Sequence, residues 1–153
     1  MTMLALVRPD AWNLPLFLHV LGATVTAGGV TSVVIAGLGA RGRTPEQAAL
    51  LARIAFRALI FVVVPAFIVM RAAAQWIADK EFPSSTKTPG WVDVGFIVTE
   101  PGALLLVALI VISYLAARRG GVGRLATTVP ILAGIYLAAL AVAWWVMSAK
   151  PGA

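Results

Sequence analysis

Residues 12–38 read WNLPLFLHVLGATVTAGGVTSVVIAGL, a run without a single Asp, Glu, Lys or Arg. A helix needs about 20 consecutive, predominantly apolar residues to cross the hydrocarbon core of a bilayer. The run is long enough to do so once. Three further predominantly apolar stretches follow at about residues 54–78, 91–117 and 125–147. The chain as a whole has 153 residues, a mean hydropathy of +0.96 and 61% hydrophobic residues, where soluble domains run at about 45–50%. Only 12% of its residues are charged, too few to cover a water-facing surface around a core of this size. The expected fold is an all-α membrane protein, a four-helix transmembrane bundle that forms one transmembrane domain over residues 1–153.

The first apolar stretch is long, follows an acidic as well as a basic residue, and precedes an arginine-rich segment, so it reads as a retained span rather than a cleaved signal peptide. Pro65, Pro101 and Pro130 fall inside the later stretches; proline in a membrane helix kinks it more often than it ends it. An alternative count has three spans and a re-entrant piece, with Glu100-Pro101-Gly102 breaking the third stretch. Gly37, Gly39 and Gly42 close the first helix, and Thr44-Pro45-Glu46-Gln47 has the form of a capping box that opens the next one ahead of its apolar part.

Loop charges orient the bundle. Arg41, Arg43, Arg53, Arg57, Arg118, Arg119 and Arg124 flank the first and third connections, with Glu46 as the lone acid beside them. At the opposite ends Arg8, Lys80, Lys87 and Lys150 are balanced by Asp10, Asp79, Glu81 and Asp93. Positive residues concentrate on the cytoplasmic side, so both termini are expected on the outer side of a bacterial cytoplasmic (inner) membrane crossed several times. Trp12, Trp76, Trp91, Trp144 and Trp145 lie at the end away from the arginines and form an interfacial aromatic belt. The net charge of +6 is thus a topology signal dispersed in short connections, not a nucleic-acid surface. Membrane lipids are the first expected partners, with Arg53 and Arg57 at headgroup depth; a homodimer or a membrane-protein partner is also compatible.

His19, Arg71 and Glu100 fall inside the spans. A charged residue at the middle of a membrane helix costs about 2.5–3.5 kcal/mol on insertion scales, so each needs a partner or an inward face. Counted from Trp12, Asp79 and Trp91, the three lie roughly 10–14 Å below the outer boundary at 1.5 Å per residue. One polar layer is expected there, with Thr26 and Gln75 as further hydrogen-bonding members and Arg71–Glu100 as a buried pair. His19 shares its helix face with Gly22, Ala23, Thr26, Gly29, Val30 and Val33, a small-residue stripe of the kind that faces another helix or leaves room for a flat ligand. Pro101 leaves the Ile97 carbonyl without its helical donor, one turn from Glu100.

No serine-histidine-acid arrangement and no phosphate-binding glycine loop occurs, so no catalytic residue is assigned. Cysteine is absent and histidine occurs once, which argues against structural zinc. His19 is a cofactor-binding candidate, since neutral imidazole is a good axial ligand for haem iron. The functional classes left open are a haem-binding or redox-associated protein, a small transporter or proton-coupled subunit using Glu100, and a structural or assembly partner.

LFLHVLGATVTAGG, residues 16–29, resembles the opening helix of small bacterial membrane proteins related to copper-resistance protein D, the DUF2269 and CopD-like grouping; the matching positions are His19, Gly22, Gly28 and Gly29. ARIAFRALIFVVVPAFIV, residues 52–69, is similar to that grouping's second helix. The resemblance implies a small membrane bundle, with copper uptake in some relatives and a haem-linked oxidase role in more distant ones. Thr26 stands where such proteins commonly have tryptophan, and the chain lacks the methionine and histidine supply of a copper route.

Overall fold

Thr44 starts a helix as its sequence context predicts. Its Oγ1 accepts a hydrogen bond from the backbone N–H of Gln47 at 3.4 Å, and Pro45 takes the first helical position, where its missing N–H costs nothing. From there the helix runs 37 residues to Glu81, so the apolar part of the second span is preceded by an amphipathic stretch that begins at Pro45. The computed structural model describes residues 12–81 and 90–149. Its helices are α1 (Asn13–Gly39), α2 (Pro45–Glu81), α3 (Gly90–Arg118) and α4 (Arg124–Ala149), each long and apolar enough to cross a membrane. The protein is a four-helix, all-α membrane bundle. Helix α3 continues through Pro101, which removes the broken third span and with it the re-entrant alternative. Arg8, Asp10, Lys87, Lys150 and the connection at residues 82–89 lie outside the described residues.

Packing follows a ring in which α1 touches α2 and α4, and α3 touches α4 and the first half of α2. Small residues set the close approaches. Gly37 sits on the Pro130 ring, Gly102 on the Tyr136 ring and Gly29 on Val63. Val30, Val33, Leu59, Val63 and Leu109 are fully buried in the middle of the bundle. Large apolar side chains point the other way: Phe61 and Leu104 are 74% exposed and Ile97 is 66% exposed. A bundle whose exterior is as apolar as its interior is built for hydrocarbon.

Helix α2 changes partner part-way along. Residues Leu59–Val63 form a π turn, with the Val64 N–H bonded back to the Leu59 carbonyl. Pro65 accounts for it: its ring would press on the carbonyl four residues earlier, and a widened turn just before it relieves the clash. The added residue rotates the face that points inward. As a result Pro45–Ala58 packs on both α1 and α3, while Val64–Glu81 packs on α1.

The connection from α3 to α4 closes on glycines. Gly120, Gly121 and Gly123 have φ of +75°, +71° and +83°, and the Gly121 N–H bonds the Ala116 carbonyl at 2.8 Å, the left-handed helix ending that glycine supports. Both arginine-bearing connections therefore meet at one end of the bundle, and the tryptophans occupy the other.

Candidate functional site

Beyond the π turn, towards the tryptophan end, the helices part around a partly open cavity of about 360 Å³ lined by all four of them. This is within the range of about 300–1,000 Å³ found for small-molecule and cofactor sites, near its lower end. Its walls are mostly apolar and aromatic, with Phe96, Trp91 and Trp144 among them, and its polar members are His19, Arg71, Glu81, Thr24, Thr99 and Ser148.

His19 reaches the cavity because α1 and α2 are nearly in backbone contact beside it. A Cβ on Gly22 would lie 2.8 Å from both the Ala66 carbonyl oxygen and the Met70 nitrogen, so only glycine lets the two helices come this close. One turn away, His19 Nδ1 lies 3.0 Å from the backbone carbonyl oxygen of Met70. A carbonyl only accepts, so Nδ1 is the donor in this contact, and Nε2 is the ring nitrogen left for another partner. Metal-binding histidines are oriented in the same way, by donating the other ring N–H to a carbonyl or carboxylate.

Arg71 follows Met70 and also lines the cavity. Its Nη2 donates to Glu100 Oε1 at 3.0 Å and its Nη1 to Gln75 Oε1 at 3.0 Å; the guanidinium lies 4.9 Å from the centre of the Phe96 ring, a cation–π distance. Gln75 Nε2 donates in turn to Asp79 Oδ1 at 2.8 Å. The result is a ladder from Glu100 to Asp79 along one flank of α2.

The single buried layer expected from the sequence is thus divided in the structure. His19 is half-buried and turned to the cavity, whereas the ion pair bridges the flank between α2 and α3. The pair is not buried: the side chains are 29% exposed at Arg71 and 65% exposed at Glu100. Neither Glu100 nor Gln75 lines the cavity. Equal depth placed these residues at one level, but direction around each helix axis is set by packing, and the rotation at the π turn carries Arg71 to the edge of the bundle. Thr26 is fully buried instead, one turn below the cavity-lining Ala23. Its hydroxyl has no hydrogen-bond partner among the described residues, and neither has that of buried Tyr136.

Thr99, Phe96, Trp144 and Met147 belong to the cavity and Asp79 to the ladder, none of which sequence reasoning assigned to a site. Met147 is brought there by packing, its Cε filling the notch left by Gly95 on the facing helix. Among the described residues no group of three His, Asp or Glu side chains is arranged to hold a metal ion by itself. No protein-family model matches this chain, and neither does any curated protein or solved structure.

Proposed function

We propose that this chain is a haem-binding, redox-associated protein of the bacterial cytoplasmic membrane, with its cofactor in the cavity at the tryptophan end. The observation that carries the reading is His19: its Nδ1 donates to the Met70 carbonyl at 3.0 Å, which leaves Nε2 as the ring nitrogen available to a ligand, on a residue that lines a largely apolar cavity. The surrounding residues suit the group. Arg71, whose guanidinium is shared with Glu100 and Gln75, has further N–H donors for a propionate, and Phe96, Trp91 and Trp144 supply aromatic surface. Bound there, haem supplies one-electron chemistry. The protein's part is to orient the imidazole, to keep its Nδ1 protonated, and to hold the ring system in apolar surroundings. The concentration of arginines at the other end supports a cytoplasmic position for that end and an outer-leaflet position for the cavity. An absorption spectrum of the purified protein tests the reading.

A second reading, that of an assembly partner, is favoured by the exposure of Glu100. An ion pair on the lipid-facing flank is poorly solvated by hydrocarbon, and a neighbouring membrane subunit or a second copy of the chain that covers the Arg71–Glu100 flank would remove it from lipid.

A further inference from the structure

The arginine end carries a second cavity, of about 210 Å³, built from both connections. It exists because they touch. Gly121 lies directly on the backbone of Ala48, so that any side chain there would collide with α2. Arg41 and Arg43 line the cavity from the first connection, Val122 and Gly123 from the second, and Thr127 from the first turn of α4. No acidic residue lines it, and neither Arg41 nor Arg43 has a carboxylate partner among the described residues. Two arginines on the lining of an acid-free hollow are suited to an anion with several oxygens, because each guanidinium presents a planar fork of N–H donors. Apolar surface adjoins them. Val122 lines the cavity and is 53% exposed, and Leu38, in the last turn of α1 next to the cavity-lining Gly37, is 46% exposed.

We infer that this cavity binds the phosphate of an anionic phospholipid, with Arg41 and Arg43 as the cations and Val122 and Leu38 as the surface along which the acyl chains leave. A free phosphate compound would use the same two arginines, but it has no use for the apolar shoulder beside them. The site stands apart from the haem reading, as it lies at the opposite end of the bundle and shares no residue with it.

The test is the thermal unfolding midpoint of the full chain in neutral detergent, measured with added phosphatidylglycerol, with phosphatidylcholine at the same mole fraction, and with inorganic phosphate. Phosphatidylglycerol is expected to raise the midpoint by a few degrees, and the other two to leave it in place. The double variant R41Q/R43Q should lose that shift, while R118Q/R119Q, which removes the same charge from the arginine end but outside the cavity, should keep it. Should R41Q/R43Q fail to fold, Thr127→Leu takes its place, since it fills the cavity without altering charge and should also abolish the shift. Equal loss in both arginine pairs would reduce the effect to diffuse attraction and overturn the site. A shift of the same size with inorganic phosphate would overturn the lipid assignment, and no response to phosphatidylglycerol in the unmodified chain would overturn the inference as a whole.

Discussion

Gly22 packs on Met70 so closely that a Cβ would lie 2.8 Å from the Met70 nitrogen and 2.9 Å from its Cβ. The contact involves backbone, which cannot step aside as a flexible side chain can. Gly22→Ala is therefore expected to push α1 from α2 and to cost about 1–3 kcal/mol of stability, measured by thermal unfolding in detergent. Gly28, which has open space where its Cβ would go, is the control: Gly28→Ala should be neutral or slightly stabilising, because alanine restricts the unfolded chain more than glycine does. Equal losses at both positions would contradict the packing account.

The Arg71–Glu100 pair is half-open, and its expected coupling is correspondingly small. In a double-mutant cycle of Arg71→Leu and Glu100→Leu, the interaction energy should be about 1 kcal/mol in detergent, not the roughly 3–5 kcal/mol lost when a buried pair is broken. Glu100→Gln should be mild, since the amide oxygen still accepts from Arg71. A coupling above about 3 kcal/mol would mean that the flank is covered, as the assembly reading requires.

Thr26 and Tyr136 hold hydroxyls that are buried without partners among the described residues. Removing an unsatisfied buried hydroxyl relieves a desolvation cost of about 1–3 kcal/mol, so Tyr136→Phe and Thr26→Val should each be neutral or stabilising in the same unfolding measurement. A loss of more than about 1 kcal/mol would show that the hydroxyl is satisfied by water or by a bound group.

Orientation is checked by labelling. Cysteines introduced one at a time as R43C and S85C should react with an impermeant thiol reagent from opposite sides, with S85C reached from outside intact cells. Outside labelling of R43C would reverse the topology.

Much of this architecture is legible from hydropathy and charge alone. Span length depends on bilayer thickness, which is why residues 12–38 announce a crossing, and the Thr44 cap is legible because its hydrogen bond is local. Depth is legible for the same reason, as rise per residue is constant. Direction is not. The stretches after α1 are apolar on nearly every side, so no periodicity tells which face of α4 carries Tyr136 into the core. The π turn ahead of Pro65 has no local signature that separates it from a simple kink, yet it decides that Arg71 meets the flank while Met70 turns inward. The Met70 carbonyl, the partner that orients His19, is a backbone group whose availability depends on how closely Gly22 lets α2 approach.

The central claim is that His19 Nε2 holds haem in the cavity at the tryptophan end, and the most direct measurement is the absorption spectrum of the gently purified protein from cells well supplied with haem. A haem spectrum should copurify, and His19→Ala should weaken or shift it while the far-ultraviolet circular dichroism of the four helices is retained. Absence of pigment under those conditions, or a spectrum unchanged by His19→Ala in a folded protein, would contradict the claim.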